Sequence, residues 1–148
     1  MKEIRILLAD DHSIVRTGIA AILGYEKDIA VVGEAEDGEE AIRLARKLSP
    51  DIVLMDLMMP GMDGVEATRT IRETLPDTKV LILTTFGTSA DVARAIAAGA
   101  SGAIVKDISK DDLVSAIRLQ NAAQRSTYRC SSCKNCQLQI KSSYILLF

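Results

Sequence analysis

Asp10 with Asp11, Asp56, Thr84 with Thr85, and Lys106 each stand immediately after a short apolar run. A single acid in such a place is most often a helix N-cap. Three acids, a hydroxyl and an amine converging on one edge call for other chemistry. Clustered carboxylates repel one another, and a hard divalent cation relieves that repulsion. Mg²⁺ takes oxygen ligands in an octahedron and keeps several waters, so two carboxylates and one carbonyl suffice. A carboxylate is also a nucleophile toward phosphorus and then forms an aspartyl phosphate. Such a transfer depends mainly on positioning and on stabilising the charge of the transferring group. Lys106 offers a point positive charge and Thr84 a hydroxyl donor, both suited to phosphoryl oxygens. The set fits a Mg²⁺-dependent aspartyl phosphorylation site.

The elements that would bring these residues together are legible as alternating patterns. Apolar runs at Ile4 to Ala9, Ile29 to Val32, Ile52 to Met55, Val80 to Leu83 and Ala103 to Val105 are rich in Val, Ile and Leu. They are too short for buried helices and predict five strands, nearly continuous in apolar character as in a parallel sheet covered on both faces. Between them, Ile14, Val15, Ile19, Ile22 and Leu23 recur at helical spacing, as do Ala41, Ile42, Ala45 and Leu48. A third helix follows from Val65, Thr68, Ile71 and Leu75 before Pro76. A fourth runs from Ala90 to Ala98 before Gly99, and a fifth contains Leu113, Val114 and Ile117 with Ser109 as its N-cap. The order βαβαβαβαβα predicts a doubly wound α/β fold with a five-stranded parallel sheet and right-handed crossovers. Ligands of such sheets bind beyond the carboxyl ends of the strands, where the acids fall.

Composition narrows the class. The 148 residues are 48% hydrophobic and 26% charged, near the average for a globular protein. No apolar stretch approaches the ~18 to 20 residues of a membrane span. The first residues lack the apolar run of a signal peptide, so a cytoplasmic location is expected. The net charge of −2 argues against a generic nucleic-acid binder. That total is split. Residues 121 to 148 carry Arg125, Arg129, Lys134 and Lys141 and no acid, whereas the first 120 hold 14 bases and 20 acids. The last segment also contains all three cysteines and none of the glycines or prolines. The expected organisation is one domain over 1–120 and a basic, cysteine-containing tail over 121–148 that is not an independent domain.

The stretches Leu8-Ala9-Asp10-Asp11-His12, Leu54 through Gly64, Leu83-Thr84-Thr85-Phe86 and Gly99 through Lys106 resemble the CheY-like receiver domains of two-component response regulators. The Asp-Asp-His start, Val31 to Ala35 and Lys106-Asp107 are similar to the NarL/FixJ-type subfamily. The resemblance covers residues 1 to about 120. It implies the strand order 2-1-3-4-5 and that Asp56 accepts a phosphoryl group from a sensor histidine kinase. Asp11, Asp56 and the Met58 carbonyl would bind Mg²⁺ directly and Asp10 through water, while Thr84 and Lys106 capture the phosphoryl oxygens. It further implies a phosphorylation-dependent homodimer, origin in a transcriptional regulator, and only self-phosphorylation and autodephosphorylation by way of enzymology. Ala103 stands where the family often has Tyr or Phe, so that aromatic switch is missing. Met58 and Phe86 are expected to crowd the phosphorylated site and slow water attack.

Two other functions compete with this reading. A Mg²⁺-dependent phosphatase with an aspartyl intermediate usually needs a second acid two residues after the nucleophile, where Met58 stands. A phosphorylation-independent interaction module is disfavoured by the retention of Asp10, Asp11, Asp56, Thr84 and Lys106. No GxxxxGK[ST] or GxGxxG stretch supports nucleotide binding. His12 is the only histidine, which excludes a triad or multi-histidine site and places it on the kinase-facing surface. Asp63 and Glu34 to Glu40 are read as a solvated acidic face, and Met58, Met59 and Met62 as loop packing. Cys130, Cys133 and Cys136 have CxxCxxC spacing but lack a fourth ligand, so they read as reactive thiols of a tail. The apolar end, Tyr144 to Phe148, is expected to pack on the domain or on another copy. The last 28 residues are too few for the helix-turn-helix domain usual in the subfamily, so the expectation is an output domain lost by truncation or a shifted frame, with no direct nucleic-acid or membrane contact by this chain.

Overall fold

The computed structural model describes residues 3–84, 89–125 and 145–147. Strands β1 (Ile4–Ala9), β2 (Ile29–Ala35), β3 (Ile52–Asp56), β4 (Lys79–Thr84) and β5 (Gly102–Val105) alternate with helices α1 (Ser13–Gly24), α2 (Gly38–Leu48), α3 (Gly64–Thr74), α4 (Ser89–Ala97) and α5 (Lys110–Arg125). The five strands pair in parallel in the order β2-β1-β3-β4-β5, which is the expected flavodoxin-like, CheY-like order. A sixth strand, β6 (Ile145–Leu147), lies antiparallel on β5, with Gly102 opposite Leu147 and Ile104 opposite Ile145. The sequence offered two partners for this apolar end; its backbone pairs with the domain's own sheet edge. Cys130, Cys133 and Cys136, like Thr85 and Phe86, lie outside the described residues.

Strand alternation divides the core in two. Leu7, Ala9, Val53, Met55, Val80 and Ile82 meet Ala41 and Ala45 of α2, Ala67 and Ile71 of α3, and Ala95 of α4. The intervening residues Ile6, Leu8, Ile52, Leu54, Leu81 and Leu83 meet Leu23 of α1 and Leu113, Val114 and Ile117 of α5. Both faces are buried, which is why the strands read as continuous apolar runs rather than alternating ones. Among the described residues no helix is long and apolar enough to cross a membrane.

Two acids assigned by sequence to a solvated face also start helices. The Asp37 side chain accepts the Glu40 N–H at 2.8 Å and opens α2, and Asp63 accepts the Glu66 N–H at 2.9 Å and opens α3. Capping satisfies a backbone donor that the helix itself leaves unpaired. Ser109 caps α5 as expected, accepting the Asp112 N–H at 3.2 Å.

The start of α3 presses directly against the end of β3. A Cβ at Gly64 would stand 2.2 Å from the Asp56 carbonyl oxygen and 2.8 Å from the Leu57 Cα. Both obstacles are backbone and cannot swing aside. Gly18, inside α1, has open space around the same position. Gly64→Ala is therefore expected to lower the urea midpoint by the equivalent of about 1–3 kcal/mol, the usual range for overpacking. Gly18→Ala should be neutral or stabilising by up to about 1 kcal/mol. Equal midpoints for the two variants in urea titration would refute this account of the β3–α3 contact.

Candidate functional site

The parallel register places Ala9 beside Met55, so Asp10, one residue beyond β1, stands next to Asp56, the last residue of β3. Both are almost wholly buried, at 2% and 3% exposed, whereas the Asp11 side chain is 31% exposed. Lys106 follows β5, two strands away from β3. Neighbouring strands are about 4.8 Å apart, so only a long side chain can cross β4. Lys106 does so: its Nζ lies 2.7 Å from Asp10 Oδ2 and 3.2 Å from Asp56 Oδ2.

The remaining contacts fix the carboxylates from the backbone. Asp10 Oδ1 accepts the His12 N–H at 2.8 Å, and Asp56 Oδ1 accepts the Met58 N–H at 3.4 Å. Thr84, at the end of β4, is buried, and its carbonyl accepts the Lys106 N–H at 2.8 Å. Met58 is 76% exposed at the rim beside Asp56, where its side chain was expected. Ala103 is buried within β5. The structure thus brings together Asp10, Asp56 and Lys106 by direct contact, with Asp11, Met58 and Thr84 on the same edge.

The charges do not balance. Asp10 and Asp56 share the Lys106 ammonium, with Asp11 close beside them, and two like charges 4 Å apart cost roughly 4 kcal/mol at an effective dielectric near 20. Burial and the Asp10 charge push the Asp56 carboxyl above the usual range, offset only in part by Lys106 and the Met58 N–H. Burial also acts against Asp10, but Lys106 and the His12 backbone outweigh it and hold that carboxyl low. Burial would depress Lys106, and the two carboxylates reverse this and raise it. Asp10 Oδ2 and Asp56 Oδ2 accept no well-directed hydrogen bond beyond these ion pairs. Oxygen-rich, buried and negative by two charges after Lys106 is counted, the site has the donor set a Mg²⁺ ion takes. Ligand atoms from Asp10, Asp11, His12 and Asp56 all lie within 4.8 Å of one another.

The sequence reading missed Arg16. It is the one charged residue in the otherwise apolar and small α1 sequence, and that isolation was the available signal. Its side chain is only 11% exposed. One guanidinium nitrogen donates to the Asp10 carbonyl, and the others stand 3.4 Å from Glu34 and 3.4 Å from Glu36. Arg16 thereby ties the loop after β1 to the end of β2 and gives two of the exposed acids, Glu34 and Glu36, a partner.

The family model for the response regulator receiver domain matches residues 6–118. The transcriptional regulatory protein LiaR of Bacillus subtilis is 50% identical over 115 residues, 78% of this chain and 54% of that protein. Response regulator VraR of Staphylococcus aureus is 49% identical over 115 residues, 55% of its length. The chain spans about half the length of these relatives. Among solved structures, the receiver domain of the putative response regulator NarL from Mycobacterium tuberculosis superposes with a TM-score of 0.79 at 33% identity, covering 82% of this chain and 98% of that one. A LuxR-family response regulator from Aurantimonas gives 0.78 at 44% identity, covering 82% and 87%.

The raised Asp56 carboxyl sets a sign for stability. A folded pKa above the unfolded one contributes stability at low pH that is lost as pH rises toward the folded value. Asp10, with its lowered pKa, does the opposite and loses its contribution on acidification. Asp56→Asn should therefore raise the melting temperature at pH 7 in chelator by a few degrees, at about 2–4 °C per kcal/mol for a domain of this size. The gain should shrink as pH falls through the carboxyl range and as Mg²⁺ is added. Calorimetry showing an unchanged or lower melting temperature for the variant at pH 7 would contradict the charge accounting.

Proposed function

The chain belongs to the response regulator receiver domain family, and we propose that it is a Mg²⁺-dependent switch whose Asp56 accepts a phosphoryl group from a sensor histidine kinase. The observation that carries this reading is Lys106 Nζ reaching across β4 to both Asp56 and Asp10. Asp11, Asp56 and the Met58 carbonyl would hold the cation, with Asp10 in its outer shell. Mg²⁺, when bound, supplies the positive charge that keeps Asp56 ionised and offsets charge on the transferring group.

The chain's own residues do the rest. The Met58 N–H and Lys106 orient the Asp56 carboxylate, so an oxygen lone pair is aimed outward at phosphorus. The new P–O bond forms as the bond from phosphorus to the donor imidazole breaks, and the electron pair leaves with that imidazole. Lys106 then follows the transferred negative charge, and the Thr84 hydroxyl donates to a second phosphoryl oxygen. Ile14, in the first turn of α1, and Met58 are exposed apolar side chains, at 85% and 76%, suited to contact with the incoming kinase. Met58 in place of an acid leaves the aspartyl phosphate without a general base at that position, which favours a switch over a phosphatase.

We place the receiver at residues 1–120 and read 121–148 as a basic appendage attached to it; the backbone pairing of β6 with β5 supports attachment. Phosphorylation-dependent homodimerisation and a role in transcription, by analogy with LiaR and VraR, complete the proposal.

Incubation with Mg²⁺ and acetyl phosphate should add a single base-labile phosphate, visible by intact mass, that is absent from Asp56→Asn and from samples in chelator. A chain that takes up no phosphate from acetyl phosphate or from a phosphorylated histidine kinase is an interaction module instead.

A further inference from the structure

The imidazole of His12 plays no part in the phosphoryl-accepting reading, yet it stands against the acids of that site. It is the only histidine in the chain and occupies the residue before α1, with its side chain 63% exposed. Its Nδ1 lies 3.0 Å from Asp10 Oδ1 and 3.0 Å from Asp11 Oδ1. Adjacent corners of an octahedron with bonds of about 2.1 Å are about 3.0 Å apart. The nitrogen and Asp11 Oδ1 already have the spacing of neighbouring ligands on one ion. Opposite corners are about 4.2 Å apart on the same basis, so the outermost pair of the four-residue group, within 4.8 Å, closes by roughly half an ångström.

We infer that His12 is a nitrogen ligand that makes this site prefer a divalent transition ion such as Ni²⁺ over Mg²⁺. The inference rests on the proposed function, in which Asp11 and Asp56 hold a divalent cation. Mg²⁺ is hard, retains its waters and gains little by exchanging one for an imidazole. Ions later in the first transition row gain much more, and imidazole suits them. The main chain is arranged to let the ring turn. The His12 N–H independently holds Asp10 Oδ1 at 2.8 Å, so Asp10 stays in place when Nδ1 moves from its carboxylate to a cation. Exposure of the ring leaves that path open to solvent. A Nδ1–H donated to Asp10 would have the same 3.0 Å length, and this rival predicts no distinction between metals.

The test is calorimetric titration of the untagged full chain with Ni²⁺ and with Mg²⁺. Cys130, Cys133 and Cys136 are replaced by Ser throughout, because thiolates would capture nickel. His12→Gln should weaken Ni²⁺ binding by at least about tenfold more than Mg²⁺ binding, in line with the cost of disturbing a metal site. The single pair of histidine ring proton resonances should shift and broaden with Ni²⁺ in the parent chain. Equal loss of both ions in His12→Gln, or loss of neither, overturns the assignment. Asp11→Asn separates the layers of the argument. If it weakens both ions while His12→Gln weakens neither, only the histidine assignment falls. If Asp11→Asn leaves both unchanged, the cation site itself falls.

Discussion

Two carboxylates buried side by side at the ends of adjacent strands are the constraint on which this molecule turns. Asp10 and Asp56 are nearly inaccessible, and water cannot screen them as it would on a surface. One ammonium, brought across β4 by Lys106, is their shared neutraliser. Removing that ammonium leaves two buried carboxylates uncompensated and costs about 3–5 kcal/mol, whereas neutralising Asp56 leaves Lys106 paired with Asp10. Adding positive charge works in the opposite direction. A site under this tension responds to any change in charge at its mouth, whether by a cation or by a phosphoryl group.

The fold supplies what that tension needs, a rigid frame. β1 and β3 are central strands, buried on both faces by α2, α3 and α4 on one side and α1 and α5 on the other. Gly64 lets α3 begin against the Asp56 carbonyl, and Asp63 fixes that start by capping it. Arg16 grips the Asp10 carbonyl from α1 while pairing with Glu34 and Glu36. The carboxylates therefore cannot relax by moving apart through loop motion; their backbones are held from both sides of the sheet.

What sequence made legible follows from which physical signal each feature leaves. Five buried parallel strands leave apolar runs, and Asp10, Asp56, Thr84 and Lys106 directly follow four of them, on the carboxyl edge. Hence Asp10, Asp56 and Lys106 were readable as residues of one edge before any coordinates, whereas the sheet order came from the resemblance to CheY-like receivers and not from the runs themselves. The capping roles of Asp37 and Asp63 were not read because a capping carboxylate and a merely solvated one are the same residue type. Only the hydrogen bond to the residue three positions on, at 2.8 Å and 2.9 Å, distinguishes them. Arg16 was missed because its partners are distant in sequence, at Glu34 and Glu36. The position of β6 was open for the same reason. Three apolar residues specify that a surface is sought, not which edge of which sheet provides it.

Lys106 also shows how a charge change at Asp56 reaches the rest of the domain. Its side chain belongs to the site, but its backbone N–H is bonded to the Thr84 carbonyl at 2.8 Å. In the phosphoryl-accepting reading, a dianionic group on Asp56 competes with Asp10 for the ammonium, and Nζ moves outward with it. That movement loads the junction between the ends of β4 and β5, where Thr84 is drawn toward the same phosphoryl oxygens. β5 carries Ala103 rather than a large ring, so there is no bulky rotor to divide the response into inward and outward states. The displacement must instead be taken up by backbone at the ends of β4 and β5. The strand that feels it, β5, is the one whose free edge is covered by β6. In that reading, Lys106 is the residue through which charge at Asp56 bears on β5, the strand paired with β6.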